Sequence, residues 1–132
     1  MRIAQKLIDQ VVAHARADLP NECCGMIGGM NGGASTVIPV VNSAASPLRF
    51  EMDPQGQYDA LKTIEDDGGE MLAIYHSHTK SAAYPSQTDV NQAVNWPDAI
   101  YVIVSLQDAD APEVKAYWLK DLKIVDAELI VE

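Results

Sequence analysis

A single α/β domain, with a mixed central sheet flanked by helices, is the fold class this sequence predicts. Three observations carry that reading. The chain has 132 residues, within the span of one domain and long enough to bury about two-thirds of its unfolded surface. Helix-period and strand-period stretches alternate along its whole length. Two of the strand-like runs, 70–76 and 99–106, are almost wholly apolar, as expected of strands covered on both faces at the centre of a sheet. No repeat, low-complexity segment or linker divides the chain, so residues 1–132 are read as one domain.

Residues 3–17 read as an amphipathic helix, because Ile3, Leu7, Val11 and Ala15 fall four apart with Ile8 and Val12 beside them. Pro20 and Asn21 break it. The glycine-laced run 23–30 and the β-branched run 35–42 flank Asn31-Gly32-Gly33 and read as a hairpin. Pro39 places the second arm at an edge or a bulge. Residues 48–52 alternate as a short strand. Asp53-Pro54 is an N-cap followed by proline at the first helical position, opening a helix over 54–67 that Gly68-Gly69 ends. The run 70–78 is an apolar strand that turns polar at its end. Ser86 reads as the N-cap of a short helix over 87–94, with Asp89 at its third position. After the strand 99–106, residues 113–119 and 123–132 alternate as closing strands.

Composition narrows the function. Apolar residues make up 48% and charged residues 21% of the chain, which is ordinary for a globular protein. Nine Lys+Arg against nineteen Asp+Glu give a net charge of −10. That balance repels phosphate backbones and anionic membranes, so no nucleic acid and no membrane is expected. A basic protein partner or a bound cation suits it better. No stretch approaches the roughly 18 apolar residues of a membrane span, and the N-terminus lacks the apolar core of a signal peptide. Cys23 and Cys24 are adjacent and poorly placed to pair, and two reduced thiols suit a cytoplasmic protein.

The informative segment runs from His76 to Asp89. His76 and His78 stand two apart, so on a strand both imidazoles face one side. Asp89 adds a carboxylate from the next helix. Two histidines and a carboxylate leave a fourth tetrahedral position open, as in a catalytic rather than a structural zinc site. Each feature alone has a plainer explanation: a packed or surface HxH pair, an acid at a helix N-terminus, a serine N-cap. The joint spacing at a strand–loop–helix junction raises the signal.

H-x-H-x10-D with an embedded S-x-x-D resembles the signature of the JAMM metallopeptidases, also called the MPN or Mov34 family. Glu22-Cys23-Cys24-Gly25-Met26-Ile27-Gly28 resembles the family's upstream glutamate before a Cys-Gly-hydrophobic-Gly run. The order of elements matches over nearly the whole chain. Pro20-Asn21-Glu22-Cys23-Cys24-Gly25, Tyr75-His76-Ser77-His78-Thr79 and Ala83-Tyr84-Pro85-Ser86-Gln87-Thr88-Asp89 look closest to the bacterial stand-alone branch. Many members have proline after the second histidine, where this chain has Thr79; the departure leaves the ligands intact.

The resemblance implies an MPN, cytidine-deaminase-like fold, with zinc on His76, His78 and Asp89 and Glu22 as general base. Ser86 would donate to the oxyanion, a role that competes with capping for one hydroxyl. The implied reaction is release of cysteine from the Gly-Gly tail of a small ubiquitin-like sulfur-carrier protein. Alternatives are a deubiquitinase-like isopeptidase, a carrier-precursor peptidase, or a non-catalytic MPN scaffold. There is no room for the insertions with which deubiquitinating relatives grip ubiquitin, and oligomerisation stays open. A zinc deaminase is disfavoured, since the chain has neither H-x-E nor C-x-x-C. A thiolate zinc site on Cys23 and Cys24 is disfavoured because adjacent strand residues face opposite ways. Ser77 is expected to point away from the metal face, and His14 to be solvated on the first helix.

Overall fold

The computed structural model describes all 132 residues. In chain order the elements are β1 (Arg2–Ile3), α1 (Gln5–Ala17), β2 (Cys24–Met30), β3 (Gly33–Val40), α2 (Pro54–Asp66), β4 (Glu70–His78), α3 (Gln87–Gln92) with a 3-10 turn (Ala93–Asn95), β5 (Ile100–Ser105), β6 (Glu113–Lys120), β7 (Lys123–Asp126) and β8 (Ile130–Val131). The strands form one sheet in the order β7-β6-β5-β4-β2-β3-β1-β8. β4 and β5 are central and parallel, joined by the α3 crossover, while β2–β3, β2–β4, β5–β6 and β6–β7 are antiparallel. This is the mixed sheet the sequence implies.

Helices cover both faces. Leu7, Ile8, Val11 and Ala15 of α1 pack with Ile27, Ala73, Tyr75, Val102 and Val104. Ala60 and Ile64 of α2 and Val90 of α3 pack with Met26, Ile74, Tyr101 and Ile103 on the other face. Consecutive residues of β4 therefore feed opposite cores, as strand alternation demands. The polar end of the strand inherits this division. His76 and His78 lie on the side of Ile74, and Ser77 on the side of Tyr75, where its hydroxyl accepts from Cys23 N at 2.8 Å.

Three expectations change. Residues 48–52 form no strand and make only an isolated bridge, Asn42 to Met52. The Asn42 side chain takes the backbone groups a neighbouring strand would have paired, accepting from Glu51 N and donating to Arg49 O. The C-terminal run 123–132 divides into β7 and β8, which lie at opposite ends of the strand order. From Asp126 to Ile130 the chain can reach at most about 14 Å, whereas eight flat strands would span about 34 Å. The sheet must therefore curl strongly toward closure. His14 is half-buried rather than solvated, because Tyr75 Oη, in the core beneath α1, needs a partner and finds His14 Nδ1 at 2.8 Å. Asp18 stands 3.3 Å from the other ring nitrogen. Pro39 lies on an outer edge, since β1 reaches β3 only at Gly33.

Gly25 lies directly opposite Tyr75 across the β2–β4 ladder, and a Cβ there would run into the tyrosine ring and hydroxyl. Gly25→Ala is therefore expected to lower unfolding stability by about 1–3 kcal/mol, the usual cost of overpacking. Urea denaturation checks it; wild-type stability would contradict the packing described.

Candidate metal centre

β4 ends where α3 begins its turn, and three side chains meet in that corner. His76 Nε2 and His78 Nε2 are 3.3 Å apart, and each is 3.1 Å from Asp89 Oδ2. All three residues are buried. The histidines arrive together because they are alternate residues of one strand. Asp89 arrives through a reciprocal cap: Ser86 Oγ accepts from Asp89 N at 3.1 Å, and Asp89 Oδ2 accepts from Ser86 N at 2.9 Å. Ser86 Oγ accepts in that cap, so its own O–H proton remains free to donate. Capping and oxyanion donation thus draw on different parts of one hydroxyl, and the competition expected from sequence disappears.

The surroundings orient the rings. His78 Nδ1 faces Ala82 O at 2.8 Å, which assigns the proton to Nδ1 and leaves the lone pair of Nε2 facing Asp89 and His76. His76 stacks on Phe50 with centroids 4.5 Å apart, and its buried Nδ1 has no partner. Burial by itself would push the Asp89 carboxyl up, yet His76, His78 and the Ser86 amide together hold it well below the usual carboxylate range. Burial is the largest single influence on His78 and acts to lower it, but Asp89, the Ala82 carbonyl and the Glu22 charge together outweigh it, so its affinity for a proton is raised. The corner stabilises positive charge.

That is the test of fit for a metal. Two ring nitrogens and a carboxylate oxygen converge in a buried corner, and when neutral His78 carries its proton on Nδ1, its Nε2 lone pair repels that of Asp89 Oδ2 3.1 Å away. A cation relieves that repulsion, and a two-nitrogen, one-oxygen set suits zinc with a position left open.

Glu22 lies just before β2 and is 3% exposed. Its Oε1 has no hydrogen-bond partner. Burial pushes its carboxyl up to about 8, with His78 opposing the rise and Asp89 adding to it. Glu22, His78 and Ser86 line one cleft of about 300 Å³, walled by Pro47, Leu48, Thr79 and Ser81. Glu22 does not join the three converging donors, so its carboxyl is left to act on what enters the cleft. The cysteine thiols play no part: Cys23 and Cys24 fall in opposite cores, and burial pushes both thiols up to about 12.

Sequence reasoning brought Glu22, His76, His78, Ser86 and Asp89 forward, and the structure gathers all five. It missed Asn42, Phe50 and the carbonyl of Ala82. Asn42 looked like an ordinary loop residue after a strand, and a backbone carbonyl leaves no trace in residue identity.

A sequence model of the prokaryotic homologs of the JAB domain matches residues 4–120. The chain belongs to the JAB/MPN family. Among relatives of this JAB/MPN domain, a CysO-cysteine peptidase of Mycobacterium tuberculosis is 40% identical over 121 residues, covering 90% of this chain and 82% of the relative. A desampylase of Haloferax volcanii is 37% identical over 113 residues, covering 80% of each. The solution structure of a Desulfitobacterium hafniense protein superposes with a TM-score of 0.90 at 35% identity, over all of this chain and 93% of that one.

Ser86→Ala deletes one arm of the cap that places Asp89. Unfolding stability is expected to fall by about 1 kcal/mol, measured by denaturant titration. An unchanged midpoint would mean that the cap is dispensable for folding.

Proposed function

We propose that this JAB/MPN domain is a zinc-dependent peptidase that hydrolyses the amide bond after the C-terminal Gly-Gly of a ubiquitin-like sulfur-carrier protein, releasing cysteine. The observation that carries the reading is the buried Glu22 carboxyl, free of partners, in the same cleft as His78 and Ser86. A buried carboxyl with no hydrogen-bond partner is costly unless it has a task. Support for the substrate class comes from the relatives, one named for a CysO-cysteine bond and one a desampylase.

His76, His78 and Asp89 would hold the zinc. When bound, zinc supplies Lewis acidity, polarising the scissile carbonyl and making water acidic near neutral pH. Glu22 takes the proton of the attacking water and delivers it to the departing amine, so one carboxyl serves as base and then as acid. Ser86 donates its free O–H to the oxygen that gains charge as the carbonyl becomes tetrahedral. The cleft of about 300 Å³ ends at the candidate metal corner, and a glycine tail without Cβ atoms approaches it with least obstruction. A carrier with a basic face complements the charge of −10. Two buried thiols suit a reducing, cytoplasmic setting, and no helix is long and apolar enough to cross a membrane.

A second reading, an isopeptidase that frees the carrier from lysine side chains, is favoured by the desampylase relative. A carrier–cysteine adduct and a carrier–lysine conjugate offered in parallel separate the two. Mass spectrometry is expected to show faster loss of the cysteine adduct, with cleavage slowed when either terminal glycine is replaced by alanine. Equal cutting of bulky tails or free dipeptides would make the protein a general peptidase. No cutting of any conjugate, with metal bound, would leave the scaffold reading.

Zinc is expected at one equivalent per chain, and His76→Ala is expected to abolish it, as read by elemental analysis. Glu22→Gln should retain the zinc and lose most turnover, whereas Ser86→Ala should lower kcat on the order of 10²-fold with little effect on KM. Loss of zinc in Glu22→Gln would make Glu22 a ligand instead.

A further inference from the structure

Glu22 has no side-chain hydrogen bond at Oε1 to fix its carboxyl, so its direction must come from the main chain. On one side that main chain is held by β4: Cys23 N donates to Ser77 Oγ at 2.8 Å, and Ser77 N donates to Cys23 O at 3.2 Å. On the other side stands the loop after β3. Glu22 N donates to Ser46 O at 2.9 Å, and Glu22 O accepts from Asn42 Nδ2 at 3.0 Å. Neither backbone group of Glu22 is spent on a strand ladder, since β2 begins at Cys24.

Asn42 is the hub of this arrangement. Its Nδ2 also donates to Arg49 O at 3.1 Å, and its Oδ1 accepts from Ala44 N and from Glu51 N, each at 3.0 Å. Two donations and two acceptances use the whole capacity of one amide. A single side chain therefore closes the 43–51 loop at both ends and ties it to the residue that carries the carboxyl. The same loop brings Leu48, 83% exposed, to the cleft wall, and it is pinned to the far side of the cleft by Thr79 Oγ1 donating to Pro47 O at 3.2 Å.

We propose that Asn42 is a positioning residue for Glu22: its side-chain amide, bridging the Glu22 carbonyl and the 43–51 loop, sets where the Glu22 carboxyl stands in the cleft. The proposal rests on the reading of Glu22 as the proton-transfer group. No other side chain reaches both. Aspartate and serine cannot replace the asparagine, because each lacks the paired N–H donors that the Glu22 and Arg49 carbonyls require.

Asn42→Asp separates the two tasks. It preserves the acceptor for Ala44 N and Glu51 N and removes the donor to Glu22 O. With full-length, zinc-loaded protein and a carrier–cysteine adduct, kcat is expected to fall on the order of 10- to 100-fold, the scale of a small misplacement of a reacting group. KM should stay within about twofold and zinc content should be unchanged. In carbon-13-labelled protein the carbonyl resonance of Glu22 should shift, while the amide resonances of Ala44 and Glu51 should stay in place. Wild-type kcat, or a loss carried mainly by KM, would overturn the proposal, as would an unmoved Glu22 carbonyl. Asn42→Ser, which loses the amide donors without placing a charge beside two carbonyls, is read by kcat, KM, zinc content and the Glu22 carbonyl resonance alone where the aspartate variant does not fold. If the wild-type protein leaves every adduct intact, the peptidase reading fails on its own, and the carbonyl resonance still decides whether Asn42 holds Glu22.

Discussion

One oxygen organises the candidate site. Asp89 Oδ2 accepts from Ser86 N and stands 3.1 Å from a ring nitrogen of each of two histidines. The oxygen closes the first turn of α3, fixes that helix against the end of β4, and completes a three-atom donor set. A carboxylate buried this deeply persists only if every side of it meets a donor or a cation. The local rule that starts a helix and the convergence of three donor atoms thus fall on one atom, so the cap that opens α3 also sets the carboxylate beside the two histidines.

The strand beneath repeats that economy. β4 alternates between two cores, and the alternation continues unbroken into its polar end. His76 and His78 face the α2–α3 side with Phe50 stacked on His76, whereas Ser77, facing α1, binds the backbone just past Glu22. Metal donors and the scaffold of the proposed base are therefore carried on opposite faces of one strand. A register slip of one residue would exchange them, and the paired ladders on both sides of β4 prevent it.

The loop from 43 to 51 is irregular in backbone and ordered by hydrogen bonds. It closes on Asn42, whose side chain donates to Glu22 O, accepts from Glu22 N through Ser46 O, and rests on Thr79. Its buried member Phe50 joins the core, while Leu48 stays exposed at the cleft. Its exposed tip stands on the wall of the cleft that Glu22, His78 and Ser86 line.

Much of this was legible in the sequence, because it follows from short-range rules. Strand alternation put His76 and His78 on one face; the cap signal at Ser86 and the Asp53-Pro54 start were local stereochemistry, and the apolar runs at 70–76 and 99–106 announced two strands at the sheet centre, whose parallel pairing the structure adds. Long-range closure was not legible. Nothing in residues 123–132 says that the chain crosses from one end of the sheet to the other, since that depends on the accumulated curl of eight strands. The alternation at 48–52 gave no sign of a loop, because the competitor for its backbone groups was the side chain of Asn42, several residues away. His14 looked solvated until Tyr75 lay beneath it. The sequence by itself determined which atoms can coordinate, cap and carry protons, since those are properties of residue type and near-neighbour spacing. Only the tertiary structure decided that Glu22, 54 residues before His76, is buried beside the donors with its carboxyl unpaired, because burial and hydrogen-bond partners are set by segments that meet only when the sheet is assembled.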